Sequence, residues 1–255
     1  MSSATDSPWW VRYRPSASPR ARLFCFPYAG GSAGLFRPWP MKLPPTVEVV
    51  GLQLPGRENR LRESPPTDLA GTIEPMTAGL LPLLDRPCCF FGYSLGGLMA
   101  FEVARRLRGL NAAGPRRLIV AASEAPQCEH ARNPPIHRRS DDEFVAELRR
   151  FGGTPEAVFK SSELLQAILP MLRADFQMLE TYQYVEESLL DVPIAALGGL
   201  TDDEVTPDRL AGWSDQTRGG FTMQFFPGDH FFLKTSLEPL LAAVVREIES
   251  ATSTN

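Results

Sequence analysis

Apolar residues fall in short unbroken runs along this chain, separated by polar stretches rich in glycine and proline. Arg22–Phe26 (RLFCF), Val47–Leu54 (VEVVGLQL), Cys88–Phe91 (CCFF), Arg117–Ala122 (RLIVAA), Val192–Leu197 (VPIAAL) and Phe221–Phe226 (FTMQFF) are the principal ones. Runs of this kind predict strands, of the buried type at Arg22–Phe26 and Arg117–Ala122. Between them lie segments of helical length. Leu69–Leu84 carries an apolar stripe, a helix-compatible run follows Gly97 and ends in Arg105-Arg106-Leu107-Arg108, and Leu237–Glu249 predicts a terminal helix. Strand and helix alternating in this rhythm predict βαβ units and a mainly parallel central sheet flanked by helices.

The rhythm breaks from about 127 to 187, where no strand is expected. Ser140 stands three residues before Glu143, the spacing of a capping box, and opens a helix whose apolar side is Phe144, Leu148 and Phe151. Gly152-Gly153-Thr154-Pro155 ends it. Ser162–Met171 and Leu172–Tyr184 predict two further helices, with a break at Pro170. A helical insertion of this size between sheet elements is long for a connection. It is expected to form a lid over the carboxyl edge of the sheet, within a single domain spanning 1–255. The polar, proline-punctuated Met1–Arg20 is expected to be a surface arm, tacked to the body by Trp9 and Trp10.

Composition narrows the function. At 255 residues and 43% hydrophobic, the chain can bury a full core. A net charge of −4 gives no general attraction to nucleic acid. No apolar run approaches the ~18 residues of a membrane span, and the amino terminus has no signal-peptide core. The four cysteines, Cys25, Cys88, Cys89 and Cys128, have neither metal-ligand spacing nor a disulfide framework. Together these readings place the protein in a reducing cytoplasm.

Candidate chemistry centres on Gly92-Tyr93-Ser94-Leu95-Gly96, a G-x-S-x-G between a predicted strand and a predicted helix. In that context the serine sits on a sharp turn with its hydroxyl presented at the end of the sheet. Taken alone, the same residues could form an ordinary strand-to-helix turn. Pro27-Tyr28-Ala29-Gly30-Gly31-Ser32 ends the first predicted strand. It reads either as a tight turn or as half of an oxyanion hole, with the Ala29 N–H as one donor and the Leu95 N–H as the other. Of three histidines, His130 and His137 lie in the polar part of the insertion, and His230 alone follows a strand directly. Asp202 lies in the loop after Val192–Leu197. Serine, acid and histidine then run Ser94, Asp202, His230, the order of α/β-hydrolase triads. Serine needs a positioned base, and the acid fixes the tautomer of the imidazole. Asp203 is the rival acid. Asp202 is preferred because Gly199-x-x-Asp202-x-x-Val205 puts the acid at the turn and lets Val205 pack inward.

Several stretches together resemble the discrete type II thioesterases that accompany modular polyketide and nonribosomal peptide synthases. They are FCFPYAGGSAGLFRPW (Phe24–Trp39), LQLPGRENR (Leu52–Arg60), FFGYSLGGLMAFEVARRL (Phe90–Leu107), RRSDDEFVAELRRFGGTP (Arg138–Pro155), LPMLRADFQMLETYQY (Leu169–Tyr184) and GDHFFL (Gly228–Leu233). The resemblance covers most of the chain. It implies an α/β-hydrolase fold and hydrolysis of acyl groups from the phosphopantetheine arm of acyl or peptidyl carrier proteins, which would clear blocked synthases. It also maps the triad onto Ser94, Asp202 and His230. No metal or organic cofactor, nucleic acid or membrane is implied, and a monomer is expected. The alternatives are a carboxylesterase acting on small esters and a non-catalytic binding module of the same fold. Phe176 and Leu179 are expected to line the acyl chamber under the lid. Arg57, Arg60, Arg138 and Arg139 either dock an acidic carrier or pair with nearby acids.

Overall fold

A computed structural model describes residues 7–15 and 18–253. Its centre is a seven-stranded sheet made of β1 (Trp10–Tyr13), β2 (Ala21–Phe26), β3 (Val47–Leu52), β4 (Cys88–Tyr93), β5 (Leu118–Ala121), β6 (Ile194–Gly199) and β7 (Phe221–Phe226). The spatial order is β1-β3-β2-β4-β5-β6-β7. Only β1 runs antiparallel to its neighbour; the other pairings are parallel. Every residue of β2, β4, β5 and β6 is buried, which is why these strands read as continuous apolar runs.

Alternation along the strands feeds two apolar layers. Phe24, Phe26 and Phe90 face α1 (Leu69–Leu80) and α2 (Leu95–Gly109), joining Ile73, Met76, Leu98 and Phe101. Leu23, Cys25, Cys89 and Phe91 face the other way, onto Trp39 and the terminal helix α8 (Leu237–Ser253). The layers are helix, sheet, helix, and the topology is that of the α/β-hydrolase fold. No helix among the described residues is long and apolar enough to cross a membrane.

The insertion holds α3 (Asp141–Phe151), α4 (Glu156–Phe159) and α5 (Ser162–Glu180). They form their own small core of Phe144, Leu148, Leu169, Leu172 and Phe176. Ser140 and Glu143 form the expected capping box, each side chain on the other's backbone N–H. Two short helices complete the fold, α6 (Pro207–Ala211) and α7 (Phe232–Thr235).

Two expectations are corrected. Pro170 does not divide two helices: α5 runs through it for 19 residues, ending at Glu180 rather than Tyr184. One missing N–H is tolerated where Leu169 and Leu172, on either side, are held in the insertion core. The amino-terminal segment is not merely a surface arm. Trp10–Tyr13 is an edge strand in register with Val49–Leu52. The two tryptophans do anchor it. Trp10 is buried, with its Nε1 donating to the Met76 carbonyl at 3.0 Å, and Trp9 stacks beneath the Arg60 guanidinium. Residues 1–6, 16 and 17 lie outside the described part of this segment.

Candidate active site

Ser94 links the carboxyl end of β4 to the first turn of α2. Its backbone takes φ 53° and ψ −120°, a region that residues with a side chain rarely occupy. The flanking glycines make the turn possible. A Cβ on Gly92 would stand 2.2 Å from the Gly96 carbonyl oxygen, and one on Gly96 would stand 2.1 Å from that of Phe26. The Ser94 N–H donates to the Ala121 carbonyl at 2.8 Å, fastening the turn to β5.

His230 sits in the loop after β7. Its Nε2 lies 3.1 Å from Ser94 Oγ, and its Nδ1 lies 3.0 Å from Asp202 Oδ2. Asp202, in the loop after β6, has a fully buried side chain. Its Oδ1 accepts the N–H groups of Glu204 (2.8 Å) and Val205 (3.1 Å), so the carboxylate is held before the histidine reaches it. Val205 packs inward at 6% exposure, whereas Asp203 points to solvent. The three residues named from sequence therefore meet in one hydrogen-bonded line, with Asp202 rather than Asp203 against the imidazole.

Tyr93 was not among the sequence candidates, yet it fastens this line. Its hydroxyl donates to the His230 carbonyl at 2.6 Å and accepts the Leu233 N–H at 3.3 Å. Burial pushes its phenol well above the ordinary range, so the proton it donates stays in place. The only sequence signal was a polar-tipped aromatic in the variable position before the serine.

The loop after β2 closes the site from the other side. Gly30 has φ +83° and its N–H donates to Asp175 Oδ2 at 2.6 Å. The Gly31 N–H donates to the Tyr28 carbonyl at 2.8 Å. Ala29 lines the same cavity as Ser94 and His230. Leu95 is the first residue of α2, where the N–H has no acceptor within the helix.

That cavity has a volume of about 570 Å³. Leu98, Leu148, Phe151, Leu172, Phe176 and Leu179 supply its apolar wall, so both chamber residues named from sequence reach it. Phe176 also packs against Phe144 and Phe151, with ring centroids 5.6 and 5.5 Å away.

The insertion is fastened to all three loops that carry the site. Asp175 of α5 holds Gly30 and pairs with Arg57. Arg132 and Arg150 both pair with Glu204, two residues beyond Asp202. Lys234, just past the His230 loop, donates to the carbonyls of Gly152 and Gly153 at 3.0 Å each, at the end of α3.

These contacts decide between the two readings of the arginines. Arg57 is 4% exposed and its guanidinium meets Asp175 with two parallel bonds, so it is not a docking residue. Arg60 is also buried, held by Glu63 and the Gln53 carbonyl. Arg139 pairs with Glu147, while Arg138 is exposed. The other histidines have acid partners of their own: His130 Nδ1 lies 3.2 Å from Glu124, and His137 Nδ1 lies 2.7 Å from Glu180.

Comparison with known proteins identifies the family. Residues 21–252 match the Thioesterase domain family. The gramicidin S biosynthesis protein GrsT of Aneurinibacillus migulanus is 39% identical over 240 residues, covering 94% of this chain and 93% of its own. Thioesterase PikA5 of Streptomyces venezuelae is 36% identical, covering 89% and 81%. Among solved structures, the RedJ thioesterase of the prodiginine pathway in Streptomyces coelicolor superimposes with a TM-score of 0.85 at 37% identity, covering 91% and 94%. With a family match across nearly the whole sheet and full-length relatives well above 30% identity, the chain belongs to the thioesterase-domain family.

Proposed function

We propose that the protein is a serine hydrolase that removes acyl groups from the phosphopantetheine arm of carrier proteins, editing stalled or aberrant units during polyketide or nonribosomal peptide synthesis. The observation that carries this reading is the line from Asp202 through His230 to Ser94, opening on an apolar cavity. In the proposed mechanism His230 Nε2 accepts the Ser94 proton as Oγ attacks the thioester carbonyl. Asp202 holds the Nδ1–H tautomer and stabilises the imidazolium. The N–H groups of Ala29 and Leu95 receive the oxyanion. The thiol leaves with a proton returned by His230. Water, deprotonated by His230, then releases the free acid and regenerates Ser94.

In this reading α3 to α5 form a lid, and Phe176 and Leu179 bear on the acyl chain. The thioesterase relatives, and their part in gramicidin S and prodiginine biosynthesis as their names give it, favour carrier-bound thioesters over simple esters. Of the four arginines named from sequence, exposed Arg138 is the one left to meet an acidic carrier. The test compares hydrolysis of an acyl-carrier protein, the matching N-acetylcysteamine thioester and the matching ethyl ester by wild type and Ser94→Ala. Ser94-dependent turnover, fastest on the carrier, is expected. Faster turnover of the ester would favour a carboxylesterase, and turnover that survives Ser94→Ala would remove the serine mechanism.

A further inference from the structure

The end of β4 serves the site twice, through two adjacent residues. Ser94 carries the nucleophile on its strained turn. Tyr93, the residue before it, is fully buried in the layer that holds Phe91 and Phe232. Its ring packs edge-on to Tyr28 at 6.0 Å and to His230 at 6.3 Å, and is tilted against Phe232 at 5.5 Å.

The hydroxyl at the tip of that ring meets the loop that carries the base. A carbonyl can only accept and an amide N–H can only donate, so the direction of both bonds is fixed. Tyr93 Oη donates to the His230 carbonyl at 2.6 Å and accepts the Leu233 N–H at 3.3 Å. Leu233 lies in the first turn of α7, where the N–H has no acceptor within the helix. No other side chain bonds to the His230 backbone among the described residues.

The remaining bonds of the loop act elsewhere. The Phe231 N–H donates to Asp229 Oδ1 at 2.8 Å and the Phe232 N–H to the Asp229 carbonyl at 3.0 Å, which sets the shape of the loop. The Gly228 carbonyl accepts the Thr201 N–H at 3.0 Å and joins it to the loop of the acid. Among the described residues, Tyr93 is its hydrogen-bonded link to the strand that carries the nucleophile. The route from Ser94 Oγ to His230 Nε2 through the protein is therefore short. It goes one peptide bond back to Tyr93, out along the ring, across one hydrogen bond and through His230 itself. The gap it closes is 3.1 Å.

We propose that Tyr93 is a positioning residue, whose hydroxyl sets the spacing between Ser94 and His230 by holding the His230 backbone, and so serves both formation and hydrolysis of the acyl-enzyme. The inference rests on the serine mechanism proposed above and adds a residue to it. Tyr93 does not line the cavity and touches none of the reacting atoms. Burial keeps its phenol protonated, so it supplies no second base.

The test compares wild type with Tyr93→Phe, which keeps the ring and its packing and removes only the hydroxyl. Leu80→Ala, a cavity at the end of α1 outside the site, is the control for lost stability. Each is measured for kcat and KM on an acyl N-acetylcysteamine thioester, for the rate of Ser94 labelling by a fluorophosphonate, and for thermal unfolding. Tyr93→Phe should lower kcat by about 10- to 100-fold, as a small displacement of a catalytic group does. KM should stay unchanged and labelling should slow by a similar factor. Leu80→Ala should lower the unfolding midpoint at least as far while kcat and labelling stay close to wild type. A wild-type kcat in Tyr93→Phe would overturn the proposal. So would unaltered labelling, a loss carried by KM alone, or equal kcat losses in both variants. If wild type shows no Ser94-dependent turnover, the serine mechanism itself fails; if Ser94-dependent turnover survives Tyr93→Phe undiminished, only this inference does.

Discussion

Arg57, in the loop after β3, and Asp175, about three-quarters of the way along α5, meet in a doubly bonded ion pair sealed from water, at 2.8 Å and 2.7 Å. The same carboxylate holds the Gly30 N–H, and Arg57 also donates to the Gly31 carbonyl at 2.8 Å. Removing one partner leaves the other charge buried and unpaired, which costs about 3–5 kcal/mol. Asp175→Ala should therefore lower stability by that amount and depress kcat by loosening the Ala29 loop. Replacing both residues, as Arg57→Met with Asp175→Leu, should recover much of the stability without recovering kcat. Denaturant unfolding alongside steady-state kinetics separates the two effects. An Asp175→Ala variant with unchanged unfolding would contradict this account.

Ser94 supports a different comparison. Its positive φ is strained for any residue with a Cβ, at about 1–3 kcal/mol. Ser94→Ala and Ser94→Gly should both lose hydrolysis by several orders of magnitude. Only the glycine variant relieves the backbone. It should be the more stable of the two by about 1 kcal/mol, after allowing for the greater freedom of glycine in the unfolded chain. Thermal unfolding of the pair checks this, and equal midpoints would argue against stored strain.

The two adjacent acids should separate cleanly. Asp202→Asn leaves the shape intact but offers His230 an amide, so the imidazole tautomer is no longer fixed. A fall in kcat of about 10⁴-fold is expected. Asp203 points to solvent, and Asp203→Asn should stay within about threefold of wild type. The reverse order in kcat would move the acid by one position.

Glu124 gives a pH signature. Its folded-state pKa lies below the ordinary 4.5, since the bonds to His130 and Arg209 outweigh burial. A depressed carboxylate stabilises the fold fully above the unfolded value and loses that contribution as pH falls through the folded one. Wild type should thus exceed Glu124→Gln in unfolding midpoint at pH 7. The gap should narrow as pH falls below 4.5. A gap that widened on acidification would reverse the assigned sign.

Leu179 tests the chamber. It lines the cavity and packs only at the border of the main core. Leu179→Ala should raise kcat/KM for longer acyl chains relative to shorter ones. A uniform change across a C2 to C12 thioester series would mean that Leu179 serves packing alone.

What could be read from the sequence follows from the range of the physics involved. β2 and β4 were legible because both faces are buried and their residues, Arg22 apart, are apolar or small. Ser94, Asp202 and His230 were legible because each sits at an element end, where local pattern marks the turn. Val205 could be placed inward by the same local logic. Arg57 could not be placed, because its partner lies 118 residues away and a buried arginine looks like a solvated one in a charged loop. β1 escaped notice because four residues with an arginine among them carry too little alternation to stand out. Pro170 misled because the usual cost of an interior proline is offset by packing that only the assembled insertion supplies. Tyr93 fell in a position the motif leaves variable, and the carbonyl it binds is 137 residues on.

The fastening of the insertion to the Ala29, Asp202 and His230 loops has a thermodynamic consequence. In the proposed mechanism, whatever presses α5 and α3 down also tightens the donors, the acid and the base. Contact energy gathered along an acyl tail is thereby made available at the carbonyl carbon, far from where it was collected. Chain length should then register in turnover as much as in affinity, and a short fragment that occupies the centre without touching α5 would meet a slacker machine.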